Sequence, residues 1–447
     1  MAVKNASNRF LAPGSSTARL FEEAQRYIPG GTSRIHYYFR PYPIYARSGA
    51  GCLLTDVEGV DRLDFLNNMT SLIHGHANPE IKRAIVEQLE LGTAFSEPSE
   101  PEVKLARLMV ERVKSLERIR FANSGTEAVM LAIKLCRAYT GRSRIAKFEG
   151  FYHGYYDYAQ VSFSSAPDTW GPDDAPASVA STGGLADSVL GDVLVVPYND
   201  PGALEKLLAV HGRSVAAFIT DPLANRCGFP MPAPGFPRLL REITRTHGIP
   251  LINDEVISFR IGRGGAQGKY GGDPDLTVFG KIIGGGLPVG AVGGRAEIME
   301  LLDPTRGTPR VLSGGTFSAN PLTMAAGLAA MEQLTPEVYA RLDALGERLR
   351  SQSNEALDGL GEAAHLEGDG SLFRLQMTAQ PVTDYRSSVR GAASAERMAQ
   401  VHLNLLDEGV IIAREGLGCL STPMGEAEVS HFVSALERAA SRLPKGA

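Results

Sequence analysis

From about residue 119 to residue 300, short apolar runs alternate with stretches of helical period, and this rhythm sets the expected fold. Ile119-Arg120-Phe121 leads into a helix from about Glu127 to Tyr139, with Gly141 placed to stop it. Ile145 to Phe148, Val193 to Val196, Val215 to Ile219, Leu251 to Asn253 and Leu276 to Phe279 read as further buried strands. Phe236, Leu239, Leu240 and Ile243 mark a helix closed by Gly248. Strands that alternate with helices require crossovers, so the pattern predicts an α/β domain around a largely parallel sheet covered on both faces.

Upstream, LLTDVEGVDRLDF over 53–65 reads as a hairpin turning at Glu58-Gly59, and Ile81, Ile85 and Leu89 mark a helix. After Thr335 the pattern becomes amphipathic helices, short strands near Leu372 to Leu375 and Val410 to Ile412, and a final helix around Val429 to Arg442. The predicted organisation is a large domain over 66–335 and a smaller α+β domain over 336–447, with the N-terminal segment 1–65 packing on the latter. The Ser/Ala/Pro/Gly/Asp-rich stretch 162–191 is long for a connection and reads as a functional lid.

Composition narrows the partners. The 447 residues carry 45 Lys+Arg against 50 Asp+Glu, a formal charge of −5, too near neutral for phosphate-backbone attraction to organise the molecule. Nucleic-acid binding is not expected. Hydrophobic residues make up 43% and charged residues 21%, so a sizeable core is available. The four cysteines form no CxxC pair, which fits a reducing cytosol and predicts neither a zinc ribbon nor a disulfide framework. The first thirty residues hold no apolar stretch of signal-peptide length, and nowhere do about 18 apolar residues run together. The expected protein is soluble and cytoplasmic, with no membrane partner.

Two glycine-rich signatures fail on inspection. GRGGAQG over 262–268 has Gln267 where a Rossmann fingerprint needs its third glycine, and Gly268-Lys269 is followed by Tyr270 where a Walker loop needs Ser or Thr. His74-Gly75-His76 has no companion cluster of His or Cys, so no metal is expected.

Other motifs carry more. Ser124 precedes Glu127 by three residues, a capping box at the entry to the helix after Phe121. A strand, a small-residue turn and an uncovered helix N-terminus also make an anion pocket, with the Ser124 and Thr126 hydroxyls beside it. Asp254 ends an apolar run at the carboxyl end of a strand, where ligands bind in open α/β sheets, and a carboxylate there needs a cation. Lys281 ends another such run before the glycine-rich turn at 284–286. Each charge on its own is a capped strand end, or the two pair with each other. Taken as one site, an amine, a carboxylate and an anion pocket are the three contacts that pyridoxal phosphate requires.

NSGTEA at 123–128, FEGFYHG at 148–154, NDEV at 253–256, FGKIIGGGLPVGAVGGR at 279–295 and SGGTFSANPLTMAAG at 313–327 occur in an order that resembles the class III, or omega-type, aminotransferases. The similarity runs over roughly residues 20 to 435 and is greatest to the branch with glutamate-1-semialdehyde aminomutase and β-amino-acid aminotransferases. The resemblance implies a fold-type-I pyridoxal-phosphate transferase, with a mainly parallel seven-stranded sheet in the large domain and a smaller α+β domain. It also implies a homodimer with shared active sites. By motif position Lys281 matches the Schiff-base lysine, Asp254 the partner of the pyridine nitrogen and Val256 the residue under the ring. Gly125 and Thr126 match the phosphate cradle with Ser124 beside them, Tyr152 the aromatic stacked over the ring with His153 next to it, and Thr316 the threonine that reaches the neighbouring subunit's cofactor.

The implied activity moves an amino group from an amine or a β- or ω-amino acid to a keto acid such as pyruvate or 2-oxoglutarate, by way of pyridoxamine phosphate. An isomerase like glutamate-1-semialdehyde aminomutase is the alternative, and a cofactor-binding protein without turnover a third. Ala413-Arg414-Glu415-Gly416-Leu417-Gly418 stands where the aminomutase branch carries Ser-x-x-Glu, which favours transfer between molecules. Asp221-Pro222 replaces the family's Glu-Pro, and Asn225 or Arg226 falls where a group contacts the cofactor hydroxyl. Arg34, among the aromatics Tyr37, Tyr38 and Phe39, resembles the arginine by which β-amino-acid aminotransferases grip the substrate carboxylate, and Arg414 falls near a second such arginine.

Overall fold

The computed structural model describes residues 9–390 and 395–444; residues 1–8, on which part of the leader reading falls, lie outside the described residues. Two compact units result. One gathers the N-terminal segment up to Pro79, Glu337–Pro381 and the C-terminal stretch; the other comprises Glu80–Pro336 and Val382–Arg390. Among the described residues no helix is long and apolar enough to cross a membrane.

The larger unit is built on a sheet of seven strands: β1 (Arg118–Ala122), β2 (Arg144–Phe148), β3 (Val193–Val196), β4 (Val215–Thr220), β5 (Leu251–Asp254), β6 (Leu276–Gly280) and β7 (Gly290–Gly294). Their order is β1-β7-β6-β5-β4-β2-β3. The pairs β2·β3, β2·β4, β4·β5 and β5·β6 are parallel, and only β7 runs against its neighbours. Every residue of β4 is buried, as a strand covered on both faces requires. From Ala217 its side chains alternate: Ala217 and Ile219 join the cluster of Ala132 and Leu135 on helix α1 (Gly125–Thr140), while Phe218 faces Phe148, Phe236 and Leu240 on the other side.

Strand β7 was not anticipated, because Gly-Ala-Val-Gly-Gly has little strand propensity. Contact geometry explains it. A Cβ on Gly290 would lie 1.9 Å from the Ser124 carbonyl oxygen, and one on Gly294 2.1 Å from that of Asp275. Glycine here allows neighbouring backbone to close on the strand.

The 162–191 stretch is anchored to the larger unit at several points. Trp170 is buried and donates from Nε1 to the Ser165 carbonyl (2.9 Å), and Val161 bridges to Ala180. Arg386 donates to the Trp170 carbonyl (2.8 Å) and pairs with the buried Glu149 through Nε (2.7 Å). A loop-like composition does not reveal such anchors, since they come from a segment about 215 residues away.

In the smaller unit, Ala46–Ala50, Leu53–Asp56 and Asp61–Asp64 form an antiparallel meander extended by Val410–Ile411, which runs parallel to the third. The turn falls at the expected place, with Gly59 at φ +76°. His365–Glu367, Leu372–Gln376 and Leu417–Cys419 make a second sheet.

His402 in this unit is buried, packs edge-on to Phe39 at 4.8 Å, and finds no hydrogen-bond partner for either ring nitrogen among the described residues. Burial first, and the Arg414 cation second, lower its pKa from 6.5 to about 4. The unfolded chain therefore takes up a proton that the folded chain resists. Stability is full above pH 6.5 and is lost as the pH falls toward about 4. His402→Leu should remove up to about 3 kcal/mol of that acid-side loss. Urea midpoints measured between pH 7 and pH 4 test this, and wild type and variant declining in parallel would contradict it.

Candidate active site

Three segments of the larger unit meet at one end of the sheet. Strand β5 ends at Asp254, which lies opposite Val278 on the parallel strand β6; that strand runs two residues further to Gly280, and Lys281 follows. Lys281 adopts φ +50°, a left-handed conformation that costs a non-glycine residue roughly 1 kcal/mol or more. The third segment is the turn from β1 into α1.

Val256 joins the three. A Cβ on Gly125 would stand 2.9 Å from Val256 Cγ2, and one on Gly280 3.3 Å from its Cγ1. The valine is thus wedged between the helix entry and the residue before Lys281, and Gly125 is glycine because nothing larger fits.

At the helix entry, Ser124 Oγ accepts from the Glu127 N–H (3.2 Å). The Glu127 carboxylate turns back to the Asn123 N–H (2.6 Å), one residue before the position a capping box would give it. The first backbone bond into the helix is Ala128 N–H to the Ser124 carbonyl (3.1 Å), so the Gly125 and Thr126 N–H groups stand ahead of it at the positive end of the helix. Thr126 Oγ1 accepts from the Tyr155 N–H (3.4 Å), and a Cβ on Gly154 would lie 2.5 Å from the same oxygen, so the Tyr152–Tyr155 turn is seated on α1.

Asp254 is held from two sides. Its Oδ2 lies 2.8 Å from His153 Nδ1, and its Oδ1 accepts from the Val256 N–H (3.1 Å). His153 is fully buried, and burial pushes its pKa down against the pull of Asp254. With Nδ1–H donating to Asp254, Nε2 is left as an acceptor and has no partner among the described residues. Tyr152 is half-buried, meets Phe163 edge to face at 5.5 Å, and has its phenol pushed up chiefly by burial.

Thr316 lies in a segment, 312–317, in which every residue is exposed, including Leu312 (72%) and Phe317 (59%). Beside it is a groove of about 530 Å³ lined by Phe121, Met130, Leu131 and Leu312. Arg34 and Arg414 belong to the smaller unit. Arg34 stacks 4.0 Å over the Tyr37 ring and donates to Asn68 Oδ1 (2.9 Å), which also accepts from the Tyr37 hydroxyl (3.0 Å). That amide sits in four consecutive residues of positive φ, Asn67 (49°), Asn68 (51°), Met69 (54°) and Thr70 (70°). Arg414 is exposed, one residue from Glu415, whose charge reaches Tyr37.

Sequence reasoning passed over several buried groups around this site. Lys147 Nζ donates to the carbonyls of Phe151 and Val161, both at 2.8 Å, and burial lowers its pKa to about 7. A neutral amine has two N–H donors for these two acceptors, and the pair of bonds staples both ends of the loop that carries Tyr152 and His153. The lone lysine inside the apolar run Ile145 to Phe148 was a readable signal. Asp221 accepts from the Leu223 N–H (3.0 Å); burial, and then the Asp254 charge, push its pKa well up. Burial likewise lifts Glu255 to about 7 as it accepts from the Ala266 (2.7 Å) and Gln267 (3.0 Å) N–H groups.

One face of the unit therefore offers amide N–H groups for an anion, a held carboxylate for a cation and a lysine amine for a carbonyl. Comparison with known proteins agrees with that inventory. Residues 38–424 match the family model of aminotransferase class-III. The chain is 38% identical over 432 residues to glutamate-1-semialdehyde 2,1-aminomutase 2 of Bacillus licheniformis, covering 95% of this chain and 97% of that protein. Among solved structures, an omega-transaminase from Sphaerobacter thermophilus superposes with a TM-score of 0.95 at 50% identity, covering 97% of this chain and 99% of its own. A β-phenylalanine aminotransferase from Variovorax paradoxus gives 0.86 at 33% identity, covering 97% and 96%. The chain belongs to the class III aminotransferases, the pyridoxal-phosphate-dependent transaminases of fold type I.

Proposed function

We propose that this protein moves an amino group from an amine or a β- or ω-amino acid to a keto acid, with Lys281 and Asp254 as its catalytic residues. The observation that carries the reading is the Val256 wedge, which brings the helix entry at Gly125 and the strand end at Gly280 around a side chain two positions after Asp254. Bound pyridoxal phosphate supplies an electron sink for the pair left by a cleaved C–H bond. The Gly125 and Thr126 N–H groups, with Ser124 beside them, would hold its phosphate, and Tyr152 and Val256 would flank its ring. Asp254, kept in place by His153, would face the ring nitrogen and favour its protonated form. Lys281 Nζ would hold the cofactor carbonyl and, when released, would act as the base that takes a proton from the substrate carbon and the acid that delivers it on the cofactor side.

Thr316 is assigned to the neighbouring subunit's cofactor in a homodimer. The exposure of Leu312 and Phe317 on either side of it supports a face that another chain covers. Arg34 and Arg414 are assigned to substrate. A cytoplasmic location is supported by four cysteines that form no disulfide.

The similarity to glutamate-1-semialdehyde aminomutase supports a second reading, in which the amino group moves within one molecule. The absence of Ser-x-x-Glu at 413–418 favours the first. Incubation with 1-phenylethylamine or β-phenylalanine plus pyruvate should yield alanine. Conversion of glutamate-1-semialdehyde with no alanine from either donor would reverse the order.

A further inference from the structure

The chain leaves the larger unit after Pro336 and returns to it for Val382–Arg390, whose helical part is Tyr385–Arg390. Two adjacent side chains of that short helix are buried, and each touches the same pair of segments. Tyr385 lies on Gly150, where a Cβ would run into its ring, and its hydroxyl donates to the Ser165 carbonyl (2.8 Å). Arg386 spends all five of its N–H groups in one node. Nε and Nη2 donate to the Glu149 carboxylate (2.7 and 3.3 Å), and Nη2 donates again to the Trp170 carbonyl (2.8 Å). Nη1 donates to the Gly171 carbonyl (3.2 Å) and to Asp173 (2.7 Å). One partner is therefore Glu149-Gly150, the entry to the turn that carries Tyr152 and His153, and the other is the 165–173 stretch. The two also meet beyond the node, where the Gly150 N–H donates to the Ser162 carbonyl (2.7 Å) and Phe163 stands edge-on to Tyr152. Trp170, the single tryptophan of the chain, has the Arg386 guanidinium 5.2 Å from its ring centroid.

We propose that Arg386 is a positioning residue for the turn that carries Tyr152 and His153, fixing the way Glu149 enters that turn by clamping it to the 165–173 stretch. The assignment rests on the aminotransferase reading, in which Tyr152 flanks the cofactor ring and His153 steadies Asp254. The chemistry of the node argues for placement over bulk stability. A buried ion pair can often be exchanged for apolar side chains without loss of stability, whereas a planar fork on a carboxylate sets both a distance and an angle. Arg386 acts through Glu149 and Gly150, so its removal should loosen the turn while leaving each residue of the turn in the sequence.

The test uses the holoenzyme and reads the two segments separately. Arg386→Gln should speed backbone hydrogen exchange in peptides from 149–155 and from 165–173 together, and should make Trp170 easier to quench with acrylamide. It should also shrink the visible circular-dichroism band of the cofactor and raise the dissociation constant of pyridoxal phosphate roughly 10-fold. Arg386→Lys should fall between, since it keeps the charge and loses the fork. Glu149→Gln, which keeps the shape of the acceptor, should give the same pattern in milder form, and it carries the test should Arg386→Gln fail to fold. Faster exchange confined to 165–173, with the cofactor band unchanged, would make Arg386 a local anchor and overturn the assignment. Equal acceleration in β4 and β5 would overturn it in favour of a general loss of stability. A wild type that transfers no amino group, with the two segments still loosening together in Arg386→Gln, would sink the aminotransferase reading and sustain this one.

Discussion

Replacing Lys281 by alanine should lower turnover by at least roughly 10⁴-fold, because the same amine is assigned both the covalent hold on the cofactor carbonyl and the proton transfers. Borohydride should fix the cofactor to wild-type protein at residue 281 and should leave no adduct on the variant. The fold should survive. Lysine and alanine pay a similar penalty at φ +50°, so the substitution neither relieves nor adds backbone strain. Lys281→Arg separates charge from chemistry: a guanidinium stays protonated, so it should be as inactive as the alanine variant despite its cation. An adduct trapped on Lys281→Ala would place the reacting amine elsewhere.

The second large effect is expected at Asp254. Asp254→Asn keeps the shape and removes the charge, and it should lower kcat/KM by at least roughly 10²-fold while weakening retention of pyridoxal phosphate on dialysis. The surroundings explain why a neighbouring acid will not substitute. Asp221 is buried with its pKa pushed up by burial and by Asp254, and Glu255 is lifted to about 7 and spends its oxygens on the Ala266 and Gln267 N–H groups. His153→Phe should be milder, since the Val256 N–H still holds Asp254 Oδ1. Wild-type turnover in Asp254→Asn would remove this carboxylate from the chemistry.

Much of this site was legible before any coordinate. Asp254 and Lys281 both end apolar runs, and Ser124 to Glu127 spells a helix entry, because strand ends and helix caps are local events written in adjacent residues. The helix itself runs Gly125–Thr140 with Gly141 in the left-handed region, two residues earlier at its start and one later at its end than its periodicity indicated. Lys147 shows the limit. Its position inside an apolar strand was visible, but its two carbonyl partners sit 4 and 14 residues away on a loop with no periodicity of its own.

The sequence by itself determined the alternation of strand and helix, the near-neutral charge, and which residue types end each strand, since each depends on a few neighbouring side chains and their solubility. Tertiary structure alone decided that Gly-Ala-Val-Gly-Gly is an interior strand of the sheet, that Val256 closes on Gly125 and Gly280, and that Arg226 stands over Tyr152. Those outcomes depend on distances between segments far apart in the chain. Close packing sets such distances, and composition carries no record of them.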